Sequence, residues 1–369
     1  MPKAQETVLE IDLKALTHNF QYLKSKLKNN TKVLAVVKAF AYGSDACEIA
    51  KHLQGLNVDY FAVAYVDEGV ALRNAGVTKP ILVLHPISVN FESLIEYNLE
   101  PNLYSAKILE AFIKVAEAEN QTHYPVHIKF NTGLNRLGFE EKDIDFIIKK
   151  LSETKAVKVT SLFSHMAASE DLKEKDFTLN QIETFKICAN EMKKLLGYSP
   201  MLHMCNTSGI LNYPEAHFDM VRTGIGLYGF GNSIEESKHL KPIATLKTII
   251  SQIHNIEEGE SVGYNRAFIS NSITRTATLP LGHADGISRI YGKGKGFVTI
   301  QGKKAPIAGN VCMDMIMVDV TNIDCEEGDE VIVFGPETVT AETLAESAKT
   351  ISYELITAIS QRVKRIIIK

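Results

Sequence analysis

Residues 33–64 read VLAVVKAFAYGSDACEIAKHLQGLNVDYFAVA. VLAVV (33–37) and YFAVA (60–64) are short apolar runs of strand length, and the stretch 44–53 between them has helical spacing. The same unit recurs outward in both directions. PILVL (80–84), EPNLY (100–104), VHIKF (126–130), VTSLFS (159–164), MLHMC (201–205) and DMVRTG (219–224) are further strand candidates. VLEID (8–12) stands before a stretch with Leu16, Phe20, Leu23 and Leu27 on one helical face, and 180–196 is a later helical segment. About eight strand-then-helix units over ~230 residues predict an α/β fold, a (β/α)8 TIM-like barrel covering residues 1–238. A doubly wound open sheet has the same grammar and remains the structural rival.

From about residue 240 the pattern changes. KTIISQIHNI (247–256), TRTATLPL (274–281), GKGFVTIQG (294–302), APIAGNVC (305–312), IMVDVT (316–321) and DEVIVFG (329–335) are β-rich and parted by turns such as Glu258-Gly259 and Gly328-Asp329. Only 341–349 looks helical before a basic final strand, RVKRIIIK (362–369). A smaller, mostly β C-terminal domain over residues 239–369 is the expectation.

Forty basic against 44 acidic residues give a net charge of −4. No Lys/Arg block marks a nucleic-acid footprint, so no such partner is expected. The start, MPKAQETVLEIDL, lacks the basic and apolar regions of a signal peptide, and no apolar run approaches a membrane span. Five scattered cysteines with no C-x-x-C pair fit a reducing compartment and argue against a zinc site. The expectation is a soluble cytoplasmic protein without a metal.

In a βα barrel, functional groups stand where strands end. Lys38 follows VLAVV; Thr132 to Arg136 follow VHIKF; His165 follows VTSLFS; Asn206 and Thr207 follow MLHMC; Arg222 follows DMV. Each alone has an ordinary structural reading. Bringing them together on one rim argues for a shared ligand, because desolvating so many polar groups otherwise costs too much. A lysine at a buried strand end suits Schiff-base chemistry, since burial frees its amine. Thr207-Ser208 and Thr223-Gly224-Ile225-Gly226 come from the last two barrel strands, where such folds often bind phosphate. A cofactor carrying both an aldehyde and a phosphate explains the two features together.

AVVKAFAYG (35–43), HIKFNTGLNRLGF (127–139), HMCNTSG (203–209), DMVRTGIGLYG (219–229), SVGYNRAF (261–268), LPLGHADGI (279–287), GNVCMDMIMVDV (309–320) and YELITAISQRVKR (353–365) resemble the signature blocks of alanine racemases, in order and across both domains. The resemblance implies a pyridoxal 5'-phosphate (PLP) enzyme acting on L- and D-alanine, working as a head-to-tail homodimer whose sites mix two chains. It implies that Lys38 carries the cofactor and is one base, and that Tyr264 of the other subunit is the second. Tyr42, Thr207, Tyr353 and the backbone of Gly224 and Ile225 would hold the phosphate, with Asn206 beside them. His165 would stack on or beside the pyridine ring, and Arg222 would donate to its nitrogen. Arginine stays protonated, so that nitrogen would not, which favours reprotonation at Cα over transamination. Arg136 would hydrogen-bond the Tyr264 phenol, the Met313 N–H would hold the substrate carboxylate, and Asp314 would order that loop. D-alanine supply for peptidoglycan is the implied role.

Lys129 shares a strand face with His127 and Asn131, towards the barrel interior and Arg136. An ordinary lysine lying along apolar surface is one reading; the resemblance implies the other, a carbamylated Lys129 that pairs with Arg136. The sequence departs from the family pattern at Phe40 (commonly Asn), Asn131 (Asp), His283 (Tyr) and Asn310 (Arg). These changes cluster around the entrance and the neighbours of the proposed bases. Broader specificity, extending to serine, stays open, because an apolar pocket rejects one hydroxyl poorly. A decarboxylase on the same barrel would be expected to set an acidic residue, not Arg222, against the ring nitrogen. A PLP carrier without turnover would leave the second domain without purpose.

Overall fold

The computed structural model describes residues 6–28, 30–337 and 339–369. Its first strand, β1 (Val8–Asp12), leads into the helix Leu13–Ser25. Eight parallel strands follow: β2 (Lys32–Val36), β3 (Tyr60–Val63), β4 (Ile81–Val83), β5 (Glu100–Leu103), β6 (Tyr124–Lys129), β7 (Val157–Phe163), β8 (Met201–His203) and β9 (Met220–Thr223). They pair in sequence order, and β2 pairs with β9 to close the barrel. The open-sheet rival is thereby excluded. Helices cover the outside; the longest, Lys175–Leu196, ends on Gly197 at φ 72°, a left-handed cap that glycine adopts without a Cβ penalty.

β1 is the exception among the nine candidate strands. It pairs antiparallel with β10 (Ala244–Ile249) and parallel with the last strand, Lys364–Ile368, inside a six-stranded sheet of the C-terminal part. The physical distinction lies in the side chains. Glu10 pairs with Lys247 on the adjacent β10 at 3.0 Å, whereas Glu100 and Arg222 of the barrel strands pair with His127 and His203 inside the barrel. Asp12 then caps the first helix, accepting the Lys14 and Ala15 N–H groups at 2.7 and 3.0 Å.

The C-terminal part is mostly β, with a second sheet built from Gln252–Ile256, Thr274–Leu279 and Ile316–Asp319. KTIISQIHNI therefore splits between two sheets. APIAGNVC is largely not a strand: Lys303–Pro306 ends within it, and Gly309 turns at φ 73°. A second helix, Ser352–Ala358, stands where only one helix was expected. It packs so tightly on the loop after Lys38 that a Cβ on Gly43 would overlap the Ile356 carbonyl. Arg365 fastens the same junction, donating to the carbonyls of Gly43 (2.8 Å) and Ile359 (2.9 Å). Among the described residues, no helix is long and apolar enough to cross a membrane.

After Lys38 the chain makes a left-handed turn: Ala39, Phe40, Ala41 and Tyr42 all have φ between 51° and 54°. For residues with a Cβ this costs roughly 1–2 kcal/mol each, so it persists only where the surroundings hold it. Tyr42 is the anchor, its ring stacked on Tyr228 at 4.5 Å.

Candidate active site

The C-terminal strand ends and their loops enclose a cavity of about 530 Å³. Lys38, just past β2, enters it beside Lys129 at the end of β6, Arg136 in the following loop, His165 after β7 and Arg222 on β9. No carboxylate stands among the described residues lining it. Burial first, then Arg136, lowers the Lys38 pKa, and Glu68 opposes them. Glu68 has no place in the sequence reading. Its carboxylate accepts the N–H groups of Ala39 and Ala64, both at 2.6 Å, tying the turn after Lys38 to the end of β3.

One end of the cavity is a cradle of hydroxyl and glycine groups. Tyr42, Thr207, Gly224, Ile225 and Tyr353 line it. The Tyr42 hydroxyl stands so close to Gly224 that a Cβ there would overlap it. Thr207 Oγ1 accepts the Gly226 N–H at 3.3 Å, and the Tyr353 hydroxyl donates to Asn232 at 3.0 Å. Asn206 also lines the cavity, but its carboxamide oxygen is the cap of helix Thr207–Asn212. It accepts the Gly209 N–H and the Ser169 hydroxyl, each at 2.8 Å.

Arg222 is buried and held from several sides. Nη1 donates to His203 Nδ1 at 2.7 Å; Nη2 donates to the carbonyls of Ser164 (2.8 Å) and Met204 (3.0 Å) and to His165 Nδ1 (3.0 Å). Burial lowers its pKa to about 10, which leaves it cationic at neutral pH. Because guanidinium only donates, both imidazoles must accept through Nδ1 and be neutral. His203 thus belongs to the site, a role that its place in HMCNTSG does not reveal. His165 accepts from Arg222 in the plane of its ring, leaving its faces for a stacked ligand.

These two histidines set a pH dependence. Burial first, then Arg222, holds both well below the usual 6.5. A depressed pKa means that the unfolded chain takes up protons first. The stability from neutral imidazoles is therefore complete above about pH 6.5 and is lost as pH falls below it. Denaturant midpoints should drop on acidification through that window, and His203→Gln should flatten the drop; an unchanged profile in the variant would contradict this assignment.

Lys129 lies with its amine 5.9 Å from the Phe163 ring centroid. Burial first, then Arg222, Arg136 and Lys38, lowers its pKa to about 8. Asn131 takes no part in neutralising these charges. Its carboxamide oxygen accepts the N–H groups of Gly133 (3.2 Å) and Asn135 (2.9 Å), organising the loop that carries Arg136.

Tyr264, Met313 and Asp314 are not in this cavity. They line a separate hollow on the β-rich part, and Tyr264 and Met313 are 73% and 59% exposed in the single chain. Gly263, at φ 74° and ψ −175°, makes the turn that presents Tyr264, a region open only to glycine. Asn310 supports it by donating to the Tyr264 carbonyl at 3.2 Å. His283 is an exposed residue whose N–H donates to the Cys312 carbonyl at 2.9 Å, bracing the Met313 loop. Arg362 braces it again, bridging Asp285 and Asp314, each at 2.7 Å.

Comparison with known proteins bears on both halves. Residues 11–231 match the family model described as alanine racemase, N-terminal domain, and residues 243–367 match the alanine racemase C-terminal domain. An alanine racemase of Halothermothrix orenii is 37% identical over 366 residues, covering 97% of this chain and 96% of that one. Alanine racemase 2 of Caldanaerobacter subterraneus subsp. tengcongensis is 35% identical, covering 98% and 95%. Among solved structures, the alanine racemase of Clostridium difficile 630 superposes with a TM-score of 0.93 at 32% identity, covering 100% of this chain and 97% of that one. The Bacillus anthracis enzyme with bound L-Ala-P gives 0.92 at 30% identity, covering 100% and 96%. Two domain models in the right order, with relatives matched along nearly their whole length, lead to one conclusion: the chain belongs to the alanine racemase family.

Proposed function

We propose that this chain racemises alanine with PLP held by the barrel, and that it works as a homodimer in which Tyr264 of one chain serves Lys38 of the other. The observation that carries the reading is the separation of the two halves. Lys38 has its cavity at the barrel rim, while Tyr264, Met313 and Asp314 stand exposed in another hollow of the same chain. A second copy brings one to the other without any rearrangement within a chain. Residues 1–238, joined by Tyr353 of the same chain, then hold the cofactor, and the rest of 239–369 completes the partner's site.

The cavity fits the cofactor. Arg136 and Arg222, with no carboxylate among the described lining residues, suit an anion, a buried lysine with a lowered pKa suits an aldehyde, and Gly224 leaves beside Tyr42 the room that a Cβ would take. Lys38 would hold the aldehyde; Tyr42, Thr207, Tyr353 and the backbone of Gly224 and Ile225 would hold the phosphate. When bound, the group supplies an electron-withdrawing ring that acidifies the α-hydrogen of an attached amino acid. Arg222 can donate to the ring nitrogen but not protonate it, which tempers that withdrawal. Lys38 Nζ and Tyr264 Oη, one on each face, remove and return the proton at Cα. Arg136 would support the Tyr264 phenol, and the Met313 N–H would take the substrate carboxylate, with Asp314 and Arg362 fixing its loop. D-alanine made in the cytoplasm for peptidoglycan is the proposed role.

Lys129 is proposed to be carbamylated. The neutral amine, made more accessible by a pKa lowered to about 8, adds carbon dioxide and releases a proton, replacing a repelled cation by an anion that can pair with Arg136. Labelling with carbon-13 bicarbonate should give a carbamate resonance that Lys129→Ala abolishes; a spectrum without it would contradict the assignment.

The function is tested by a chiral assay of purified protein with PLP, L-alanine and L-serine, with Lys38→Ala as control. Formation of D-alanine, lost in the control, supports the reading, and the serine ratio reports specificity. Absence of D-product despite a cofactor absorbance that depends on Lys38 would overturn it.

A further inference from the structure

Behind Arg222 a line of buried polar side chains crosses five adjacent barrel strands. His203 on β8 accepts from Arg222 through Nδ1, so its proton sits on Nε2, 2.9 Å from Ser161 Oγ on β7. Ser161 Oγ is 2.5 Å from His127 Nδ1 on β6, its direct neighbour in the strand register. His127 Nε2 is 2.6 Å from Glu100 Oε2 on β5. None of the five side chains faces open solvent: Ser161, His127 and His203 are wholly buried, and Arg222 and Glu100 nearly so.

The two ends dictate the protons between them. Arginine can only donate, and a carboxylate can only accept. From Arg222 the sense runs one way: His203 Nε2–H to Ser161, the Ser161 hydroxyl to His127 Nδ1, and His127 Nε2–H to Glu100. Each middle group then gives one hydrogen bond and takes one. An imidazolium at His127 would donate to Ser161 from one side while His203 donated from the other, leaving the serine proton without an acceptor along this line. Burial first, then the neighbouring Glu100, raises the Tyr60 pKa, so the Tyr60 hydroxyl stays protonated beside that end of the line. Linked hydrogen bonds of one sense polarise one another in a low-dielectric interior. The carboxylate's pull on His127 therefore reaches the lone pair that His203 presents to Arg222.

We propose that Glu100 is a positioning residue for the reaction, holding Arg222 in its cofactor-facing orientation through the neutral relay His127–Ser161–His203. The proposal rests on the reading of Arg222 as the partner of the cofactor's ring. It assigns Ser161 and His127 a part that a barrel-filling role would not require. Glu100 touches neither substrate nor cofactor and acts only through the line.

The primary test needs neither cofactor nor variant. Nitrogen-15 correlation spectra of histidine-labelled, cofactor-free protein near neutral pH should show both His203 and His127 neutral, each protonated on Nε2 and bare on Nδ1. A proton on Nδ1 of His203, or an imidazolium at His127, would overturn the proposal whatever the enzyme's activity. Glu100→Gln keeps the shape and removes the charge, so the His203 Nδ1 resonance should move in the same spectra; an unmoved resonance would also overturn it. Ser161→Ala provides an independent break should the Gln variant fail to fold. In the holoenzyme each variant should lower kcat by about tenfold with KM for alanine little changed, and shift the bound cofactor's absorbance. The double variant should lose no more than the worse single one, because both interrupt one line. Additive losses that follow the melting temperature would mean a structural role alone. Failure of wild-type protein to form D-alanine would instead strike at the functional reading and leave the histidine spectra as they are.

Discussion

Lys38→Ala is expected to lower racemisation by about 10,000-fold or more, with no loss of thermal stability. The amine is assigned two tasks, anchoring the cofactor and moving the proton on one face of Cα. Proton transfer by a placed base alone contributes on the order of 100- to 10,000-fold. Stability should hold because the side chain is not an ion-pair anchor: burial and Arg136 both lower its pKa. Removing the amine also relieves its repulsion with Arg136. A chiral assay paired with a melting curve checks both parts. Turnover within tenfold of wild type would show that Lys38 is not the base.

Tyr264→Phe is expected to cost roughly 100- to 10,000-fold, again with an unchanged melting temperature, because the ring is 73% exposed in the single chain and the Gly263 turn is untouched. The informative readout is isotopic. With one base per face, loss of the phenol should leave solvent deuterium exchanging into the α-position of one alanine enantiomer and not the other. Equal residual exchange in both enantiomers would mean that one group serves both faces.

The barrel was legible because strand-length runs alternate with helical segments about eight times, although five adjacent strands carry the buried polar groups Glu100, His127, Ser161, His203 and Arg222. VLEID misleads on position because strand length alone says nothing of sheet membership; its pairing with Ala244–Ile249 and Lys364–Ile368 is what places it elsewhere. The helix Ser352–Ala358 is only two turns long, too short for a helical period to stand out in the sequence. What makes it a helix is its packing against the turn at Gly43. The left-handed run 39–42 is likewise invisible to propensity, since no glycine announces it and only the surroundings of Tyr42 and Glu68 hold it.

Most residues of the cavity could be named because strand ends in a barrel point to one rim. Their hydrogen-bond partners could not. Glu68 and His203 act through backbone and ring nitrogens whose proximity arises only on closure of the barrel. Tyr264 and Met313 carry the opposite lesson: resemblance identifies them, while in a single chain they stand apart from Lys38.

That separation can be tested with hybrid dimers purified through two tags, one chain carrying Lys38→Ala and the other Tyr264→Phe. If each site takes Lys38 from one chain and Tyr264 from the other, one of the two sites in every hybrid is intact. Activity should then return to about half that of the wild-type dimer, although each parent is nearly inactive. Hybrids no more active than their parents would contradict the shared site and require Lys38 and Tyr264 to act within one chain.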